Sequence, residues 1–260
     1  LIADLESGLL EVENNDSILG SVITGFGVKA FVSGADINML AGLKTPKEGY
    51  ENARSFQVVF SRIQQMNKPI ICAMNGFAFG GGNELAMSCT MRISKKDLPI
   101  LACQPEVNLG FIPGAGGTQR LPRLVGLNIA SDILRTGRPV SANEAFEIGL
   151  IDKLVDGDLI LEGIECVNQI TNGTLPIIPM VTSSFRHGEE STKIETNHLS
   201  KAIDSILVET IYGGAEMDLE DGLEYEARQF GECMKTEDMK IGLKNFLDNG
   251  PKVKAAFIHK

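Results

Sequence analysis

The stretch PIICAMNGFAFGGGNELAMSC, residues 69–89, constrains the fold of this chain more than any other. Its first half is an apolar run that reads as a buried strand, turned at Asn75-Gly76. Its second half, NELAMSC, reads as a short apolar helix. Between them stand Gly80, Gly81 and Gly82, followed directly by Asn83 and Glu84. Glycine loses more backbone freedom on folding than any other residue, so three in a row need a reason. A carboxylate inside an apolar helix needs one as well.

The strand–turn–helix alternation recurs along the first two-thirds of the chain. Residues 2–13 carry an amphipathic helix pattern ending at Asn14-Asn15. ILGSVITGFG (18–27) reads as a strand closed by a glycine-rich turn, AFVSGAD as a short strand stopping at Gly34, and INMLAGL as the start of a helix. Ala53, Phe56, Val59, Phe60, Ile63 and Met66 give residues 48–66 a helical period, ended by Asn67-Lys68-Pro69. TMRIS and LIDKLV read as strands, and ILACQPEV leads to a further short element. Helices are expected from about Leu121, over 128–137, and over SANEAFEIG, where Ser141 and Glu144 have the spacing of a capping box. Repeated alternation over 18–155 predicts an α/β fold. From residue 158 the pattern is helical, at 158–172, about 196–213, 219–234 and 236–248, with a hinge at 172–192. The expected organisation is an α/β core over 1–172 and a helical C-terminal region over 173–260.

Composition removes several function classes. A net charge of −10 argues against nucleic acid as a partner, since a phosphate binder needs basic patches. No apolar stretch approaches the length of a membrane span. No signal peptide is visible. The expected location is cytoplasmic; because the chain opens with Leu1 already inside a helix pattern, a native N-terminus is expected to be missing, and a lost transit peptide would make the location the mitochondrial matrix. The five cysteines, Cys72, Cys89, Cys103, Cys166 and Cys233, are scattered and never in a C-x-x-C pair. They read as free buried thiols of a reducing compartment, where the sequons at Asn15 and Asn172 carry no glycan. The phosphate loop GxxxxGK[ST] and the nucleophile elbow GxSxG are missing. Gly114-x-Gly116 lacks the third glycine of a dinucleotide fingerprint. His187, His198 and His259 have no partners at metal spacing and read as surface residues, so no metal site is expected.

Carboxylates and backbone amides remain. Gly34-Ala35-Asp36 and Gly80-Gly81-Gly82 each place a small-residue turn between an apolar strand and a helix start. The first amides of a helix have no internal partner and carry partial positive charge. Each cluster reads either as a tight turn or as a backbone donor, and two donors aimed at one point form an oxyanion hole. Glu84, among Phe77, Phe79, Leu85, Ala86 and Met87, and Glu106, in ACQPEVNLG, read either as capping or surface residues or as desolvated acids suited to proton transfer near neutrality.

These residues resemble the crotonase, or enoyl-CoA hydratase/isomerase, superfamily. AFVSGADINML is similar to its first oxyanion-hole segment, and KPIICAMNGFAFGGGNELAMSC to its second, with its acidic residue. QPEVNLGFIPGAGGTQRLPRLVG and TGRPVSANEAFEIGLIDKLV follow in the family's order. The resemblance implies a spiral of ββα turns with a helical C-terminal region, assembled as a homotrimer or a dimer of trimers. It implies an acyl-CoA substrate and no cofactor beyond the coenzyme A that the substrate carries. By position, the amides of Ala35 and Gly81 hold the thioester oxygen, the segment Ala35, Asp36, Ile37 and Asn38 lines the CoA arm, and Glu84 and Glu106 are the acid/base pair. Two glutamates select a hydratase, adding water across C2=C3 of a 2-enoyl-CoA. The alternatives are a hydratase, isomerase or hydrolase sibling acting on cyclic or branched enoyl- or dienoyl-CoA, and a non-catalytic crotonase-like binding protein. The chain departs from the family in four places. An N-terminal strand with an NRP-like motif is missing. The Glu84–Glu106 spacing is two residues longer than is common. Thr90 stands where Asp is common. Residues 184–217 have the look of an insertion. Lys252, Lys254, Phe257 and Lys260 form a basic and aromatic tail of the kind that in the family lies near CoA, or simply a solvated terminus.

Overall fold

The computed structural model describes residues 2–185 and 194–259. After the helix α1 (Ile2–Asn14), the chain makes two short strands, β1 (Ser21–Thr24) and β2 (Ala30–Val32), and two helices, α2 (Ile37–Gly42) and α3 (Pro46–Gln65). It then repeats the step. β3 (Ile70–Met74) and β4 (Phe77–Phe79) lead to α4 (Gly81–Ser88), and β5 (Met91–Lys95) and β6 (Ala102–Cys103) lead to a 3₁₀ turn (Pro105–Leu109). Each repeat contributes its first strand to one parallel sheet, ordered β1-β3-β5-β7, and its second to another, ordered β2-β4-β6; β7 is Lys153–Val155. This is the ββα spiral.

The register explains why residues 69–79 are so apolar. β3 lies between β1 and β5, with Ile71 opposite Val22 and Met91, and all five of its residues are buried. A central strand of a two-face-covered parallel sheet has no solvent side to fill with polar residues. Asn75 makes the corner between the sheets. Its amide donates to the carbonyls of Gly25 (2.9 Å) and Gly27 (2.8 Å), and its Oδ1 accepts from Gly25 N–H (3.1 Å). Gly76 follows because a Cβ there would meet the Lys29 carbonyl at 2.3 Å.

α3 begins with a complete capping box. Thr45 accepts from Glu48 N–H, Glu48 returns to the Thr45 amide, and Pro46 occupies the first turn. At α7 (Ala142–Glu147) only half of the expected box forms. Ser141 accepts from Glu144 N–H at 3.1 Å, but the Glu144 carboxylate turns instead to Arg138 at 2.8 Å. α5 (Gly117–Val125) starts four residues before the expected Leu121. Thr118, Gln119 and Arg120 are fully buried, and a periodicity reading assigns such polar residues to a loop.

α6 (Leu127–Thr136) and α8 (Leu159–Thr171) complete the first part. α8 covers the outer face of the four-stranded sheet, where Cys166 and Val167 pack with Ile71, Ala73 and Ile93. α9 (Lys201–Ala215), α10 (Leu219–Cys233) and α11 (Glu237–Asn249) then pack back on α3, α5, α6 and the 3₁₀ turn, sharing one hydrophobic cluster with the spiral. α9, within the 184–217 stretch that has the look of an insertion, is part of this shared core. Ile203, Leu207 and Ile211 are buried core residues. The C-terminal tail divides in the same way. Lys252 and Lys254 are exposed, but Phe257 is buried in the chain's own core; Lys260 and His187 lie outside the described residues. His198 is half-buried, and His259 is exposed with Nδ1 3.0 Å from Asp238. All five cysteines are free and buried.

Candidate active site

The three glycines do three different jobs. Gly80 precedes α4 with φ +51°, a conformation that side chains resist, and a Cβ there would lie 2.5 Å from Glu106 Oε1. Gly82 lets α4 press against β2; its Cβ would fall 2.1 Å from the Val32 carbonyl. Gly81 differs from both. A Cβ there would meet nothing closer than Ala35 N and Glu84 Oε2, both at 3.9 Å. The protein leaves the space over Gly81 open, and a backbone amide and a carboxylate border it.

Ala35 reaches this point because β2 and β4 are paired, so the turns that follow them stand side by side. Asp36 caps α2, accepting at Oδ1 from Asn38 N–H (2.8 Å) and from the Asn38 side chain (3.2 Å). The expected binding segment thus divides. Ala35 and Ile37 line the cavity, while Asp36 and Asn38 are exposed and occupied with capping.

The cavity has a volume of about 120 Å³. Gly80, Gly81, Glu84 and Glu106 lie on its polar side, and Phe56, Phe60, Phe111 and Phe230 are among the apolar residues that close it. Both expected glutamates are therefore in the same cavity, brought there from α4 and from the 3₁₀ turn. Each is buried, Glu84 to 2 % exposure and Glu106 to 6 %.

Their surroundings differ. Glu84 Oε1 accepts from the amides of Ala115 (2.8 Å) and Gly117 (2.7 Å). Glu106 Oε2 is buried without a protein donor among the described residues. Burial raises both acids, since a desolvated carboxylate is disfavoured. Glu84 is raised further by the negative charges of Glu226 and Glu106, against which its two amide donors act. Glu106 is pushed up to about 8, chiefly by burial. Donated hydrogen bonds favour the ionised form, so the Ala115 and Gly117 amides act toward the carboxylate at Glu84, and no such donor acts at Glu106 Oε2.

The sequence reading missed Glu226. It lies at 0 % exposure in the middle of α10 and accepts from Gly116 N–H (2.6 Å), Thr118 N–H (2.8 Å), Thr118 Oγ1 (2.6 Å) and Gln57 Nε2 (3.0 Å). A signal was present: Leu219, Leu223, Ala227 and Phe230 mark the buried stripe of α10, and Glu226 falls on it. Arg120, also fully buried, supplies positive charge nearby while donating to the Ala115 carbonyl (3.0 Å), Gln64 and Ser61. Among the described residues no group of three or more His, Cys, Asp or Glu is placed to hold a metal ion, and no helix is long and apolar enough to cross a membrane.

The sequence profile of the family described as "Enoyl-CoA hydratase/isomerase" matches residues 1–210. The chain belongs to the enoyl-CoA hydratase/isomerase family. Among its relatives is a short-chain-enoyl-CoA hydratase of Clostridium acetobutylicum, 37% identical over 92% of this chain and 80% of that protein. A crotonyl-CoA hydratase of Syntrophomonas wolfei is 36% identical over 100% of this chain and 88% of its own length. A crystal structure of an enoyl-CoA hydratase from Bacillus anthracis superposes with a TM-score of 0.57 at 28% identity, covering 98% of this chain and 88% of the other. This family member carries both glutamates within a single cavity.

Proposed function

We propose that the protein is an enoyl-CoA hydratase, a hydro-lyase that adds water across C2=C3 of a 2-enoyl-CoA thioester to give a 3-hydroxyacyl-CoA. The observation that carries this reading is the pairing of two buried carboxylates, in unlike surroundings, beside the open backbone at Gly81. The identities to two enoyl-CoA hydratases over most of both chains support it.

In this reading the amides of Ala35 and Gly81 hold the thioester oxygen and stabilise the negative charge that develops there. Glu84, fixed by the Ala115 and Gly117 amides, accepts a proton from water as the water oxygen bonds to C3. The C2=C3 π pair then takes the proton of Glu106 at C2. The water O–H, the C2=C3 π bond and the Glu106 O–H are broken, the C3–O, C2–H and Glu84 O–H bonds are made, and the proton on Glu84 returns to Glu106 before the next turnover. Hydration leaves the substrate's total oxidation state unchanged, so the proposed reaction calls for no redox cofactor, and the carboxylates supply the acid and base that a metal-bound water would otherwise provide. Coenzyme A enters as part of the substrate. The reading includes a homotrimer or dimer of trimers in the cytoplasm, the former to be read from the mass in solution.

The direct test follows the enoyl-thioester absorbance of crotonyl-CoA. Wild-type protein removes it, and Glu84→Gln and Glu106→Gln each lose most of the rate. Full hydration by Glu84→Gln refutes the two-carboxylate mechanism. A wild-type protein inert to crotonyl-CoA but active on a cyclic dienoyl-CoA moves the substrate class.

A further inference from the structure

Four consecutive backbone amides, Ala115 to Thr118, are shared out in strict alternation between two buried carboxylates. Ala115 and Gly117 donate to Glu84, at 2.8 and 2.7 Å, and Gly116 and Thr118 donate to Glu226, at 2.6 and 2.8 Å. Successive amides of an irregular turn point to opposite sides, so one carboxylate on each side can hold all four. The carbonyls of the same turn are tied down too. Gln57 Nε2 reaches the Gly114 carbonyl at 3.1 Å, and Arg120 Nη1 the Ala115 carbonyl at 3.0 Å. Gly116 has φ +113°, and a Cβ there would overlap Arg120 Nη1 at 1.8 Å. The turn has one geometry, and it is clamped between Glu84 and Glu226.

Glu226 does not border the cavity. It comes from α10, more than a hundred residues beyond the turn, and Gln57 of α3 and the Thr118 hydroxyl complete its four donors. We propose that Glu226 is a positioning residue for Glu84: by holding the amides of Gly116 and Thr118 it aims those of Ala115 and Gly117 at Glu84 Oε1, and so leaves Glu84 Oε2 turned toward the open space over Gly81. This rests on the reading of Glu84 as the residue that takes a proton from water. The charged groups facing Glu226 are Glu84 from α4, Glu106 from the 3₁₀ turn and Arg120 from α5, with Arg54 of α3 one hydrogen bond away through Gln57 (2.9 Å). Glu226 therefore acts on Glu84 in two opposed ways. Its charge disfavours ionised Glu84, while the turn it anchors supplies the donors that favour it.

Two variants separate these effects. Glu226→Gln keeps the shape and removes the charge, and Glu226→Asp keeps the charge and withdraws the oxygens by one methylene. The measurement is the ¹³C-carboxyl titration of Glu84 in the full-length protein without substrate, its resonance assigned by its loss in Glu84→Gln. The expected result is opposite movement, to lower pH in Glu226→Gln and to higher pH in Glu226→Asp. No movement in either variant, or movement in the same direction in both, overturns the proposal. Turnover of crotonyl-CoA supplies the second readout. Glu226→Asp, which withdraws the anchor of the turn, lowers kcat about ten- to a hundredfold, within the range for a misplaced general base, with KM little changed. On a Glu84→Gln background it lowers the residual rate no further, because it acts through Glu84. Equal losses in both backgrounds overturn the positioning role. A wild-type protein that does not hydrate any enoyl-CoA refutes the hydratase reading, while the carboxyl titration still decides the role of Glu226.

Discussion

Replacing Gly80, Gly81 and Gly82 one at a time with alanine should give three different outcomes, and the middle one tests the site. At Gly81 the new methyl contacts nothing in the protein nearer than 3.9 Å, and the residue is not in a left-handed conformation. Alanine also has fewer unfolded conformations than glycine, which stabilises a compatible site by about 0.4–1 kcal/mol. For a chain of this size that is a rise in Tm of roughly 1–4 °C. The same methyl stands between Ala35 N and Glu84 Oε2, where the thioester is proposed to sit. Displacing the thioester oxygen from one backbone donor costs about a hundred- to a thousandfold in kcat/KM, or about 2.7–4 kcal/mol. Gly81→Ala is therefore expected to be at least as stable as wild type and nearly inactive. Gly82→Ala, with its methyl 2.1 Å from the Val32 carbonyl, loses about 1–3 kcal/mol by overpacking. Gly80→Ala loses about 1–2 kcal/mol from φ +51° alone and also pushes Glu106 aside at 2.5 Å, so it loses stability and activity together. The assay is thermal unfolding beside crotonyl-CoA hydration. A Gly81→Ala protein of wild-type stability and full activity would refute the placement of substrate over Gly81.

Four further outcomes follow from the buried charges and the tail. The rate should fall with a basic limb near pH 8, because Glu106, pushed up to about 8, must be protonated to deliver its proton; a kcat/KM profile flat from pH 6 to 10 contradicts that role. The same shift makes stability depend on pH. A carboxyl whose folded-state pKa lies above its ordinary value stabilises the fold fully below that ordinary value and loses the contribution as pH rises to about 8, so Glu106→Gln should flatten the decline of wild-type Tm between pH 5 and 8. Arg120→Met should cost about 3–5 kcal/mol, since it removes a buried positive charge that interacts with Glu226 and Glu84 and frees the Ala115 carbonyl, and denaturant unfolding reads the loss. Phe257→Ala should cost about 3–5 kcal/mol as a cavity in the core, whereas a solvated tail predicts no change in the same melt.

What the sequence exposed and what it hid divide along physical lines. β3, α3 and α8 were legible because burial of one face, or of both, writes apolar residues at the period of the element. Glu84 and Glu106 were legible for the opposite reason: an acid in an apolar segment is expensive, and Glu84 directly follows three glycines, of which Gly80 also clears room for Glu106 Oε1. α5 was placed late because its first turn buries Thr118, Gln119 and Arg120, whose partners lie far away in the chain. In α9, Gly214 packs against Gln119, where a Cβ would fall 2.1 Å from its Oε1, and no local pattern announces that approach. Glu226 shows the general case. The cost of burying a carboxylate is local, and Leu219, Leu223 and Phe230 around it announce that cost. Its compensation is not local: four donors from Gln57, Gly116 and Thr118 converge on it only when α10 docks between α3 and the turn before α5. A buried charge is visible in sequence as an anomaly, and its purpose becomes visible only through its partners. The turn at residues 115–118 is thereby tied to the C-terminal helices, so disturbing the docking of α10 should reach Glu84 through its amides even where no cavity residue changes.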